Sequence, residues 1–254
     1  MGCDRCILPK GNAPEGALTE GIQIIGVESL RQAVEYLKGE TRILPESGSQ
    51  WEMYANPPTG TVDFSDIQGQ ESVKRAVEVA VSGGHNLLLI GPPGSGKSMI
   101  AQRIPTILPS PSHAESLEIT KIYSVLGLVD KERPLITGRP FRSVHHTVTK
   151  SALAGGGLIP SPGEISLAHG GVLFLDELAE FKKSVLEVLR QPLEERKIHI
   201  NRAHGNYVFP SNFMLAAAMN PCPCGNFPDF SRCSCTPWQM QQYLSRVSQP
   251  FLDR

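Results

Sequence analysis

The stretch Gly91-Pro92-Pro93-Gly94-Ser95-Gly96-Lys97-Ser98 constrains the fold more than any other part of the chain. An apolar run, Leu87 to Ile90, leads into it, and a helix-compatible segment begins near Lys97. That strand, glycine-rich loop and helix order is what a phosphate-binding loop requires. Glycines at 91, 94 and 96 let backbone N–H groups turn inward on phosphate oxygens, where a side chain would block them. The start of the next helix adds the positive end of its dipole. In such a loop Lys97 reaches the β- and γ-phosphates and the Ser98 hydroxyl ligates Mg2+.

A second motif supports the first. Val172 to Leu175, after Gly170-Gly171, is a four-residue apolar run that predicts a strand buried on both faces, as in a parallel sheet. Asp176 and Glu177 follow at its C-terminal end, where open α/β sheets bind ligands. Asp176 suits the Walker-B role of holding Mg2+, and Glu177 suits a general base that polarises the attacking water. The pair argues for ATP hydrolysis over nucleotide binding alone. Phe213 to Met219 predicts a third strand, ending in Asn220-Pro221. Asn220 stands where a sensor would orient the lytic water, although Asn before Pro is also an ordinary turn signal.

Composition sets outer limits. A chain of 254 residues with 40% hydrophobic and 19% charged residues can bury a sizeable core as one large or two modest domains. A net charge of −1 carries no global signal for nucleic acid or membrane. No run approaches the ~18 apolar residues of a membrane span, and Met1 to Lys10 has no apolar core for a secretory signal. The expected location is therefore cytoplasmic, with no membrane partner and six cysteines reduced or metal-bound.

Along the chain, Ile22 to Val27 predicts a strand and Leu30 to Leu37 a helix, too little for an independent domain. Residues 39–60 read as a linker, with Pro45, Gly48, Pro57 and Pro58. The nucleotide domain is expected over 61–254. Its helices are expected at Glu71 to Ser82, Lys97 to Leu108, Lys183 to Gln191 and Trp238 to Arg246, with a hairpin near Ile198 to Phe209. The fold class is α/β with a central parallel sheet.

Four further stretches give a more specific likeness: Arg139 to Thr147, Pro162 to Gly171, Leu189 to Glu194 and Asn220 to Gly225. Over residues 7–254 the chain resembles the ComM/YifB group of magnesium-chelatase-like AAA+ ATPases. The resemblance implies a P-loop AAA+ core, with residues 1–38 as the tail of a Lon-protease-like N-terminal domain and the family's C-terminal helical lid absent. It implies ATP and Mg2+ as cofactors and a homo-oligomeric ring, expected to be a hexamer, with ATP between subunits. It implies a motor of the helicase and branch-migration kind acting on single- or double-stranded DNA. A chelatase-type subunit that drives metal insertion is the alternative, and an inactive ATP-binding fragment the third. Arg254 is carried over as the arginine finger, with Arg246 as alternative. Ile67 and Gly69 are carried over as residues lining the adenine.

Two local features extend the likeness. No acidic residue lies between Arg196 and Pro228, while Lys197 and Arg202 punctuate the expected hairpin and are placed to grip DNA phosphates. Arg139 to Lys150 is similarly acid-free. Cys222, Cys224, Cys233 and Cys235 form C-x-C-x8-C-x-C, which suits tetrahedral zinc but also a loop of free thiols. Cys3 and Cys6 form a C-x-x-C without a partner pair, read as a disordered end, and His145 and His146 are expected to point apart on a strand.

Overall fold

The structure, a computed structural model, describes residues 3–19, 21–46, 62–130, 133–157, 160–202 and 205–253. They form two compact units. The described residues of 1–59 and 111–138 make one, and those of 60–110 and 139–254 make the other. Residues 111–138 thus cluster with the N-terminal stretch, although they fall inside the range expected for the nucleotide domain. Most of the expected linker, residues 47–60, lies outside the described residues.

In the first unit, β1 (Arg5–Pro9) pairs in parallel with β2 (Gln23–Val27), in the register Arg5 to Gln23 through Pro9 to Val27. The short helix Ala13–Gly16 lies between them, and Ala13, Ala17 and Ile24 form a small core. Cys6 belongs to β1 and packs against that core, so the expectation of a disordered end there is corrected: strand pairing holds it. Ser29 caps the helix Leu30–Leu37 by accepting from the Gln32 N–H. A second helix of this unit, His113–Val125, begins with a capping box in which Ser112 and Glu115 each accept from the other's backbone N–H.

The second unit is built on a four-stranded, wholly parallel sheet in the order β3 (Leu87–Ile90), β10 (Met214–Met219), β7 (Val172–Leu175), β4 (Phe141–Val144). The two central strands, β10 and β7, are buried at every residue. Their side chains alternate between two cores. Val172, Phe174, Met214, Ala216 and Ala218 face the one that holds Ile100, Ala101 and Ile104 of the helix Lys97–Ile107 and Val77 of the helix Glu71–Gly83. Leu173, Leu175, Leu215, Ala217 and Met219 face the other, with Val185, Leu189, Tyr243 and Phe251. The period of two along each strand thus puts helices on both faces. Of the smaller elements, β5 (Gly155–Gly156) pairs with β6 (Ser161–Pro162), and β8 (Lys197–Arg202) with β9 (Gly205–Pro210) as an antiparallel hairpin.

Phe174 is 1% exposed and its ring stacks on Phe141 of the edge strand, centroids 6.0 Å apart. Phe174→Ala is expected to cost about 3–5 kcal/mol, from lost transfer energy and the cavity left behind. A urea unfolding curve checks this through its midpoint.

Candidate functional site

The C-terminal ends of β3, β10 and β7 point to one rim, and each supplies part of the site. From β3 the chain enters the glycine loop, where Gly94 and Gly96 take φ of 76° and 83°. Those left-handed values strain any residue with a Cβ, which explains glycine at both positions. The Gly91 N–H donates to the Met219 carbonyl at 3.3 Å, tying the loop to the end of β10. The helix Lys97–Ile107 starts directly after Gly96. Ser95 Oγ is buried in the loop without a hydrogen-bond partner.

Lys97 Nζ donates to the carbonyls of Gly91 at 2.7 Å and Pro92 at 2.9 Å, and to Asn220 Oδ1 at 3.3 Å. Burial lowers its pKa, and the Asp176 carboxylate partly offsets the shift. Ser98 Oγ donates to Asp176 Oδ2 at 2.9 Å, across 78 residues of sequence. Lys97, Ser98, Asp176 and Asn220, all singled out by sequence, therefore meet in one cleft of about 680 Å³. A hydroxyl and a carboxylate oxygen this close, on the wall of a cleft facing a glycine loop, are hard oxygen donors of the kind Mg2+ takes. The residues present fit both the metal and a triphosphate.

Glu177 sits at φ 54°, ψ 48°, a left-handed conformation that is uncommon for a residue with a side chain. That turn swings its carboxylate to the cleft rim beside two histidines. His146 Nδ1 lies 2.9 Å from Glu177 Oε2, near enough to pair but off the line of a hydrogen bond, so that the ring nitrogen is left unsatisfied. His145 Nε2 lies 3.8 Å from the same oxygen. The two imidazole rings are 4.0 Å apart and tilted by 39°. The expectation that they point apart is corrected: β4 ends at Val144, so strand alternation does not reach them.

Several residues of the cleft and of the loop beside it carried no signal in the sequence. Gln70, itself left-handed at φ 54°, donates from Nε2 to the Ser95 carbonyl at 3.1 Å and so buttresses the loop. Tyr243 and Glu180 close the opposite side of the cleft, and burial raises the tyrosine pKa. Arg246 Nη1 lies 3.0 and 2.9 Å from the two Glu180 carboxylate oxygens, with its guanidinium 5.8 Å from the Tyr243 ring centre. The alternative finger residue is thus already paired within its own chain.

The remaining expectations fall away from this rim or outside view. Ile67 is buried in the core beneath the loop, and Gly69 is exposed; neither lines the cleft. Lys197 is exposed at the start of β8, and the backbone of Arg202 pairs with Gly205 at the far end of the hairpin. Arg142, counted in an acid-free patch, gives two hydrogen bonds to Glu164, at 2.6 and 2.8 Å. Its charge is matched by an acid distant in sequence, which corrects the reading of that patch as open cation. Arg254 lies outside the described residues. Cys222, Cys224, Cys233 and Cys235 converge beside Asn220, their sulfurs all within 4.8 Å of one another. Among the described residues no helix is long and apolar enough to cross a membrane.

A central parallel sheet, a glycine loop at a strand end and an acidic pair on a neighbouring strand define an α/β P-loop core of the AAA+ kind. Residues 63–254 match the family described as magnesium chelatase, subunit ChlI, and the chain belongs to that family. It is 43% identical to the competence protein ComM of Haemophilus influenzae over 98% of this chain and 48% of that protein. Identity to YifB of Escherichia coli is also 43%, over 98% of this chain and 48% of YifB. A protein of Mycobacterium tuberculosis matches at 44% over the whole chain and 50% of its own length. The chain spans about half the length of these curated relatives.

Proposed function

We propose that this chain carries the Mg2+-dependent ATP-hydrolysing site of a ring-forming AAA+ motor that acts on DNA. The observation that carries the reading is the Ser98–Asp176 contact beside a lysine held in a glycine loop. Two segments far apart in sequence bring oxygen donors and a cation together in one cleft, which supports a site for the γ-phosphate end of a nucleotide.

In this reading Lys97 and the loop Gly91 to Gly96 bind the phosphates, through the N–H groups of Gly94, Ser95 and Gly96, while Pro92 and Pro93, which have no N–H, stiffen the turn. Ser98 and Asp176 would hold Mg2+, which would neutralise phosphate charge when bound. Glu177 takes the proton of the attacking water, and Asn220 orients that water. Ile67 and Gly69 act near the base, through the backbone that leads into the helix Glu71–Gly83. Arg254 of a neighbouring copy in a hexameric ring supplies positive charge in the transition state. Zinc enters on different residues, Cys222, Cys224, Cys233 and Cys235, and supplies no step of the hydrolysis. The protein works in the cytoplasm, without a membrane partner.

The similarity to the competence protein ComM and the acid-free β8–β9 hairpin favour DNA as the substrate. A second reading, a chelatase-type subunit that drives metal insertion, is favoured by the family description alone. The full-length protein separates them: DNA is expected to stimulate its ATP turnover. Charge reversal at Lys197 and Arg202 is expected to weaken DNA binding and to flatten its salt dependence by about one unit of log–log slope per lost phosphate contact. Unchanged binding and slope reject the hairpin as a DNA grip. DNA-independent turnover favours the chelatase reading, and no turnover by this chain itself favours an inactive nucleotide-binding fragment.

A further inference from the structure

Four cysteines meet in a loop that directly follows the sensor strand. Cys222 Sγ lies 3.4 Å from Cys224 Sγ and 3.8 Å from Cys233 Sγ, and Cys224 and Cys233 are 3.7 Å apart. A tetrahedral zinc site with Zn–S bonds of about 2.3 Å puts its sulfurs about 3.8 Å apart along each edge. The observed separations are close to that edge and far beyond the ~2.05 Å of a disulfide. Sulfurs this close leave room for a single ion but not for a cluster of several irons. An all-thiolate tetrahedral set is the donor chemistry of zinc.

The loop is built to bring the second pair back to the first. The Gly225 N–H donates to the Cys222 carbonyl at 3.0 Å, turning the chain outward after the first pair. Asp229 then organises the return: its side chain accepts from the Ser231 N–H at 3.0 Å, and its carbonyl from the Cys233 N–H at 2.8 Å. Cys222 itself is fully buried.

The loop also touches the phosphate cradle. Gly225 takes φ 81°, and a Cβ built there would stand 2.6 Å from Pro93 Cδ and 3.9 Å from Asn220 Cγ. The backbone at Gly225 is therefore pressed against the glycine loop, and only one residue separates Cys222 from Asn220.

We propose that Cys222, Cys224, Cys233 and Cys235 hold one zinc ion, and that the zinc-closed loop braces Pro93 and Asn220 in the geometry that receives the nucleotide phosphates. The thiolate site stands on its own residues; the bracing role rests on the nucleotide reading above. The residues act by positioning, through backbone contact, and touch no reacting atom.

The test uses the wild-type chain, purified reduced and without a polyhistidine tag. Elemental analysis is expected to find about one zinc per chain, with four of the six thiols slow towards a thiol reagent until a chelator is added. Metal-free protein with all six thiols reactive, stoichiometric iron, or a Cys222–Cys224 disulfide by mass spectrometry overturns the site. A fluorescent ATP analogue reads the brace. Removing zinc is expected to raise its Kd about ten- to a hundredfold, reversed by added zinc. Gly225→Ala, which leaves every thiol in place, is expected to keep zinc and still weaken the analogue about tenfold or more. Unchanged affinity in both tests rejects the brace and leaves the zinc site standing. Zinc bound without analogue binding in any form overturns the phosphate-cradle reading, and the brace with it.

Discussion

Lys97→Ala is expected to weaken nucleotide binding about ten- to a hundredfold and to slow ATP turnover about a hundred- to a thousandfold, while the protein stays folded. The lysine is half-buried, and its ammonium already donates to three oxygens at the mouth of the cleft. Those contacts hold Nζ in the cleft, within the field of the Asp176 carboxylate. Phosphate oxygens would exchange for the two loop carbonyls, giving charge-assisted bonds in place of neutral ones. Removing the cation leaves the amides and the helix start to hold a highly charged ligand alone. The carbonyls it releases face an open cleft, so the loss of fold stability is small. Far-ultraviolet circular dichroism and a thermal scan check the fold, and steady-state turnover checks the rest. Lys97→Arg is also expected to fail, because a planar fork does not replace a compact ammonium inside a tight loop.

Glu177→Gln is expected to leave nucleotide affinity within about twofold of wild type and to lower turnover about a hundred- to ten-thousandfold. The carboxylate is about half exposed at the cleft rim and takes no part in the Ser98–Asp176 pair, so its loss does not disturb the binding groups. Its backbone makes the same point. A left-handed φ at a residue with a side chain costs of order 1–3 kcal/mol and persists only where the surroundings hold it. Here the Glu177 N–H donates to Asp176 Oδ1 at 3.0 Å, and the turn re-aims the side chain from the sheet axis to the rim. An amide keeps the shape and can no longer take a proton. Equal turnover in the variant and the wild type removes Glu177 from the reaction.

The parts of the fold that were legible are those where one physical signal dominates. Val172–Leu175 is an unbroken apolar run because it is buried on both faces, Leu87–Ile90 is an apolar run at the edge, and the bounds of both agree with expectation. The glycine loop was legible because left-handed backbone at Gly94 and Gly96 leaves little choice of residue. β4 went unrecognised because it is four residues long, edges the sheet and carries Arg142, whose charge is met by Glu164 from a distant segment. The helix His113–Val125 had a readable start in Ser112 and Glu115, but its apolar residues do not keep one clean face, and no helix was expected there. The expected helix from Lys183 to Gln191 is broken into Lys183–Leu186, a tighter turn at Glu187–Leu189 and Arg190–Glu195.

The site divides in the same way. Lys97, Ser98, Asp176 and Asn220 sit at strand ends whose order in the sheet brings them together, so motif and topology agree. Glu180 and Tyr243 reach the cleft, and Gln70 the loop beside it, from elements with no motif of their own, and only tertiary packing reveals them. The histidine pair was misjudged because strand alternation was assumed at two residues that lie past the end of β4. The cysteine spacing left metal and free thiol open, and the turn at Asp229, which spacing does not encode, is what closes the four sulfurs.

Equilibrium titration of a labelled ATP analogue into the wild-type chain and Lys97→Ala side by side, with Mg2+ and with a chelator in its place, decides whether this cleft receives a nucleotide. The arrangement of Lys97, Ser98 and Asp176 predicts saturable binding at about micromolar concentrations in Mg2+, weakened about tenfold or more by either the chelator or the substitution. Binding that does not saturate by about millimolar analogue, or a wild-type curve indistinguishable from that of Lys97→Ala, contradicts the account.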